Sequence, residues 1–445
     1  MNAPRTIRIG AGAGFAGDRI EPALELVEKG ELDFLVFECL AERTIALAQN
    51  ARRTDPDGGY DPLLLERMRR VLPAARQHGV RIVTNAGAAN PLGAAQAVAA
   101  VARELDLAPL SIAAVTGDDV MDIITATGFP LTDHDGSSAD LQSIVSANAY
   151  LGAGPIVESL ARGADVVITG RVGDPALFVG PLAHAFGWSL DDAPLMGRAT
   201  VIGHLLECAG QLTGGYFADA ERKQVPGLAR LGFPLAEVKA DASAVFTKVA
   251  GSGGRISLAT CKEQLLYEIL DPGAYYQADV VADFRSVRLC EIGPDRVAVS
   301  GGDGSARPET LKVSIGYDDG YVGEGQISYA GPGALERAQL AIEIVRERLD
   351  LIGVPLDEAR FDLLGVDAVD RTGRGEAPRE VRARVCARTA TMRAAEQIGA
   401  EVEALYTNGP FGGGGATRSL RRMVSVASTL IPADRVTPRI AMVEV

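Results

Sequence analysis

The stretch Ala164–Leu177, ADVVITGRVGDPAL, decides how the chain reads. Asp165-Val166-Val167-Ile168-Thr169 is apolar and β-branched after its first residue, which is the character of a short buried strand. Gly170 turns the chain. Gly173 and Pro175 keep the next residues out of regular structure while Arg171 and Asp174 offer a cation and an anion. In open α/β sheets, ligands bind beyond the carboxyl ends of parallel strands, near a topological switch point. This loop is therefore expected to lie in a site.

Three earlier segments share that grammar. Ile7–Ile9 runs into the glycine-rich stretch Gly10–Gly17 and Asp18, Asp33–Phe37 into Glu38 and Cys39, and Arg81–Thr84 into Asn85, Ala86 and Gly87. Helical patterns follow them, over 20–29, 41–50, 62–77 and 92–105, with Asn90 as an N-cap before Pro91. Alternating strands and helices predict an α/β fold over residues 1–220: a doubly wound, mainly parallel, Rossmann-like sheet. A further helix is expected over 143–162. Beyond residue 220 short alternating runs appear, among them 312–317 and 325–329 with a turn at Asp318-Asp319-Gly320 between them. Helices at 334–349 and 390–399 interrupt these runs, and a strand is expected at 402–405. Residues 221–445 are thus predicted to form an α+β domain with mostly antiparallel pairing.

At 445 residues the chain is long enough for two domains, each with its own core. A net charge of −14 without a basic block argues against nucleic acid as a partner. Five cysteines with no CxxC spacing read as reduced thiols, which points to the cytoplasm. The N-terminus enters a strand at once with no leader pattern, and no apolar run is long enough for a membrane span.

The candidate chemistry sits on the loops. Backbone N–H groups of Gly12 and Gly14 with Asp18, at the start of a helix, suit an anionic or polar ligand. The match Gly12-Ala-Gly14-Phe-Ala-Gly17 to a dinucleotide fingerprint is weak, and no Walker loop is present. Asn85 and Gly87 are candidates for substrate hydrogen bonds, Arg171 for a carboxylate clamp, and Gly413 and Gly414 for a closing glycine loop. Asp118, Asp119 and Asp122 lack a neighbouring histidine and suit a helix N-terminus, so no metal is expected. His134, between Asp133 and Asp135, reads as an exposed loop residue. His204, Glu207 and Cys208 fall at i, i+3 and i+4 of one helix, which joins a base, an acid and a thiol. Glu38, Asp174, His204 and Glu207 form the pool for general acid–base work. Gly12, Glu38, Asn85 and Arg171 are expected to border one cavity.

Several stretches together resemble the AtuA family, named for acyclic terpene utilisation: IRIGAGAGFAGDRIEPALELVEKGELDFLVFECLAERT, ADVVITGRVGDPALFVGPL, GHLLECAGQLTGGYF, KEQLLYEILDPGAYYQADVVADF and YTNGPFGGGGATR. The resemblance implies bacterial breakdown of branched or unusual carboxylic acids, in free form or as acyl-CoA thioesters. It also implies a separate small partner chain, since many members carry an additional C-terminal domain. The segment around His134 does not follow the family pattern. Family membership alone does not identify chemistry. The leading expectation is a lyase of the hydratase/dehydratase type, acting on a small anionic carboxylate or acyl-CoA, with no cofactor beyond CoA as a substrate moiety. A homo-oligomer is expected. Two alternatives stand beside it: a non-catalytic subunit that positions a partner enzyme, and an acyl-CoA hydrolase or transferase working covalently through Cys208 or Glu38.

Overall fold

The computed structural model describes residues 6–370, 372 and 378–445. They form two compact units, Met1–Gly316 with Val426–Val445, and Tyr317–Ser425. The expected division after residue 220 falls inside the first unit, because chain beyond that point adds strands to the first sheet.

That sheet has ten strands. Its centre is parallel: β1 (Ile7–Ala13), β2 (Phe34–Phe37), β3 (Arg81–Thr84), β4 (Ser111–Thr116) and, after β5 (Ile144–Ala149) in another sheet, β6 (Val166–Thr169), in the spatial order β1-β2-β3-β6-β4. Strands covered on both faces need continuous apolar runs, and β2 and β6 are buried throughout. Antiparallel strands extend both edges. β7 (Pro234–Val238) pairs with β1, β8 (Ala244–Lys248) with β7, and Arg439–Glu444 with β4. The sheet is therefore parallel at its centre and antiparallel at its flanks.

The helices form two layers. α1 (Glu21–Lys29), α2 (Glu42–Thr54), α3 (Leu64–His78) and α4 (Pro91–Glu104) lie between successive strands, with α1, α3 and α4 packed side by side. After α5 (Met121–Ala126), the helices α6 (Gly154–Ala161), α7 (Ala176–Phe186) and α8 (Ala193–Glu207) make the second layer. Right-handed crossovers require this split. The chain steps one way from β1 to β4, which puts α1, α3 and α4 on one face; it steps back from β4 to β6, which puts α6 on the other. β3 and β6 are neighbours whose following helices leave to opposite faces, so the switch point lies between Thr84 and Thr169. Gly87 crosses it so closely that a Cβ there would sit 2.6 Å from the Thr169 carbonyl oxygen.

Several expectations need correction. β1 runs on to Ala13, so Gly10 and Gly12 are strand residues and not loop residues. They are glycines because Leu32 and Phe37 fill the space a side chain would take, a Cβ at either position falling 2.8 Å from those side chains. The helix expected over 143–162 is the strand β5 followed by α6, with Gly152 in the connection and Gly154-Pro155 opening the helix. No turn forms at Asp318-Asp319-Gly320. Thr310–Ala330 is one long strand in which Gly320 takes a φ of +78°. The strand expected at 402–405 is helical, with Ile398, Val402 and Leu405 buried along one stripe.

In the second unit, Glu358–Leu364, Glu380–Thr389, the later part of Thr310–Ala330 and the earlier part of Gly414–Pro432 form an antiparallel sheet. Helices Ala334–Leu351 and Met392–Glu403 share its core through Ala338, Val345 and Ile398 against Ile327, Val381 and Val385. Gly413 and Gly414 belong to this unit, Gly413 lying against Ile327 and Tyr329. Among the described residues no helix is long and apolar enough to cross a membrane.

Candidate active site

The loops after β1, β2 and β6 meet at the carboxyl edge of the first sheet. A cavity of about 760 Å³ opens there. Its lining holds the carboxyl residues Glu38, Glu42, Asp174, Glu207 and Glu268 and the apolar or aromatic residues Phe15, Tyr216, Leu228, Leu231, Phe233 and Tyr267. Gly14, Asp18, Arg19 and Cys208 also line it. Of the expected site residues, Glu38, Asp174, Glu207, Gly14 and Asp18 border this cavity. Gly12, Asn85, Gly87, Arg171, His204, Gly413 and Gly414 do not line it.

The loop Gly14–Asp18 is fixed from below. Gly14 N–H donates to the Asp18 carboxylate at 3.0 Å, as does Arg19 N–H at 2.9 Å. Asp18 thus closes its own loop. Arg67, fully buried on α3, donates to the Ala16 carbonyl at 2.6 Å and to Asp61 at 2.5 Å. Gly14 passes over the end of α8, where a Cβ would fall 2.5 Å from the Cys208 carbonyl carbon. Only glycine fits so close an approach.

Arg171 is 1% exposed and sits under the cavity floor. Its guanidinium donates to the Leu40 carbonyl and to Asp174 and lies 4.1 Å over the Tyr150 ring. Both ends of the fork are occupied within the protein, which corrects the expectation of a carboxylate clamp. The role left to it is to hold the β2 and β6 loops together and to be the buried cation among the carboxyl groups. Asn85 is likewise an internal partner. Its oxygen accepts from Cys39 N–H at 2.7 Å, and its amide donates to Glu38 at 2.9 Å.

The carboxyl groups fall into two kinds. Burial pushes Glu38 up, against the pull of Arg171 and hydrogen bonds from Asn85 and Leu40 N–H. Burial also pushes Asp174 well up despite Arg171, aided by Glu38, Glu207 and Glu42 around it. Its side chain is nonetheless 36% exposed, toward the cavity. Glu207 is raised by burial, against His204, whose Nδ1 lies 2.9 Å from Glu207 Oε1. Glu42 is the contrast. Burial works on it too, but the Tyr150 hydroxyl at 2.6 Å and Lys312 at 3.1 Å hold it down at about 2. One carboxyl held below the ordinary range and three pushed above it thus share a cavity. Pairs of titratable groups pushed apart in this way are how folds provide an acid and a base side by side.

His204 is buried behind Glu207, its ring 5.5 Å from those of Tyr275 and Phe284. It does not line the cavity and meets Glu207, which does. Burial and the neighbouring Glu207 push the Cys208 thiol up, so little nucleophilic thiolate forms there. This weighs against covalent work by Cys208. His134 is exposed beside Asp133. Among the described residues no group of three or more His, Cys, Asp or Glu is arranged to hold a metal ion.

Asp118 has a structural task. It accepts Arg171 N–H and the Asn148 amide, both at 2.9 Å, and so fastens the 170–174 loop to the end of β4. Burial raises its pKa from 3.8 to about 6 against those bonds. A carboxyl raised in the folded state stabilises while neutral. That stability is present below the unfolded value and is lost as pH rises through the folded one. The shift corresponds to about 3 kcal/mol. Relative to Asp118→Asn, the natural protein is expected to lose about that much between roughly pH 4 and pH 7, read from urea midpoints. A difference that stays flat across this window contradicts the assignment.

Glu42, Glu268, Tyr150 and Arg67 had no assigned role in the sequence. Glu42 carried a weak signal, as an acid in the first turn of a helix four residues after Glu38. Glu268 lies within KEQLLYEILDPGAYY, part of the family resemblance. A model described as the acyclic terpene utilisation family protein AtuA matches residues 7–442, nearly the whole chain. Comparison with curated proteins finds no match.

Proposed function

We propose, from the premise that the chain belongs to the AtuA family of acyclic terpene utilisation proteins, that it is an enzyme of small-acid catabolism which adds or removes water: a lyase of the hydratase/dehydratase type. The observation that carries this reading is one cavity lined by three carboxyls that burial pushes up, Glu38, Asp174 and Glu207, beside Glu42, which is held down at about 2. Elimination or addition of water moves one proton at carbon and another at oxygen. It needs an acid and a base within reach of one bound molecule. Glu38, held by Asn85 and Leu40, is assigned the proton donor. Asp174, facing the cavity over Arg171, exchanges the second proton, and His204 tunes Glu207.

The same charges select the form of the substrate. A free carboxylate beside Glu42, which is held down at about 2, would meet like charge, with Arg171 already engaged. The carbonyl of a thioester or ester is neutral and accepts a hydrogen bond from a protonated carboxyl. The activated acid is therefore the form assigned to the site. The test is incubation of the purified protein with paired 2-enoyl and 3-hydroxyacyl thioesters, following the conjugated enoyl absorbance. Interconversion of at least one pair supports the reading. Absence of interconversion across short, long and branched acyl groups, with the protein folded, overturns it.

A further inference from the structure

The carboxyl cluster does not close a blind pocket. A second cavity of about 520 Å³ lies beyond it in the same unit and shares Glu42, Asp174 and Glu268 with the first. Those three residues are the junction of a two-armed cleft. Either arm alone has the size of a site for a drug-sized ligand, which is more than a short acid fills. Past the junction the carboxyls stop; Tyr276, Ala278, Leu311 and Leu430 supply apolar wall, beside the uncharged polar Thr132, Gln277 and Thr310. Lys312, the cation in this arm, is engaged with Glu42 at 3.1 Å and lies 4.9 Å from the Tyr150 ring. Tyr276 and Leu430 are 69% and 46% exposed, although each borders a concave surface.

We infer that the second cavity is a subsite for the hydrocarbon chain of the acyl substrate, so that the substrate's carbonyl end sits at the junction and the thiol or alcohol part of the ester lies in the first cavity. The inference rests on the proposed acid–base reading for its orientation. It adds the substrate class: amphipathic acyl esters with a chain of medium length, in preference to acetyl-sized ones. The apolar wall rewards each methylene removed from water, and the carboxyls at the junction disfavour placing hydrocarbon there.

The experiment measures binding by calorimetry. The probes are N-acetylcysteamine thioesters of acetic, hexanoic and decanoic acids, and the protein carries Glu38→Gln so that turnover does not intervene. Affinity is expected to rise about fourfold per added methylene until the arm is filled. Leu430→Trp, at a partly exposed position, narrows the second arm. It should weaken decanoyl binding about 100-fold or more, on the order of the methylenes displaced, and leave acetyl binding unchanged. Leu228→Trp, which narrows the mouth of the first cavity, should weaken all three probes alike. A flat dependence on chain length, a Leu430→Trp effect equal for all probes, or no binding of any probe overturns the proposal. The two readings fail separately. Length-dependent binding without interconversion of any thioester by the natural protein removes the hydratase reading and keeps the subsite; interconversion with flat binding does the reverse.

Discussion

Glu38→Gln is expected to lower turnover about 10²- to 10⁴-fold, the range for removal of a positioned general acid or base. The substitution keeps the shape of the side chain. The amide oxygen still accepts from Leu40 N–H and from the Asn85 amide, which contact Glu38 at 2.8 and 2.9 Å. The lost property is the exchangeable proton. Stability should change little or rise slightly, since a group whose charged form is disfavoured by burial is replaced by a neutral one. Steady-state kinetics on the thioester pair that the protein interconverts, with urea unfolding alongside, checks both halves. Turnover within twofold of the natural protein would remove Glu38 from the chemistry. A large loss of stability would instead make its role structural.

Arg171→Ala is expected to destabilise the protein by about 3–5 kcal/mol, the cost of breaking a buried ion pair by removing one partner. The reason lies in what is left behind. Asp174 loses its counter-ion, the Leu40 carbonyl its donor, and Glu38 and Glu42 the cation that favours their charged forms. Arg171→Lys should recover only part, because one ammonium cannot reproduce a planar fork bridging Leu40 and Asp174. Adding Asp174→Asn to Arg171→Ala should restore part of the stability by removing a carboxyl left without its donor. Restoration in that double variant, measured by urea unfolding, keeps the account testable even where the single variant folds poorly. A loss under about 1 kcal/mol for the single variant, or no coupling between the two positions, contradicts it.

The parts of this architecture that are local were legible in the sequence. β2, β3, β4 and β6 are short apolar runs buried on both faces, and such runs need no partner to be recognised. Asn90 capping α4 through Gly93 N–H was legible for the same reason. What failed was set by distant chain. Ile144–Ala149 pairs with Thr310–Ala330, and the Ser146 hydroxyl meets Gly316 N–H, so that a segment with helical spacing became a strand. The turn signal at Asp318–Gly320 gave way to a ladder with Glu380–Thr389 that begins at Tyr321. The site divides similarly. Glu38 and Asp174 could be read because they follow strand ends at one sheet edge. Arg171 was expected to border the cavity as a clamp, but its burial under Asp174 and Leu40 depends on loops more than 100 residues apart. Glu268, Tyr150 and Arg67 come near the site only in three dimensions, and nothing in their local spacing announces it.

The central claim is that carboxyl groups in this cavity keep their protons where ordinary side chains have lost them. Infrared spectroscopy of the protonated carboxyl stretch, recorded against pH for the natural protein, Glu38→Gln and Glu207→Gln, tests it directly. The account predicts a protonated band that outlasts the range in which exposed aspartates and glutamates ionise, with a component missing from each variant. A band that disappears with the exposed carboxyls and is the same in all three proteins would contradict it.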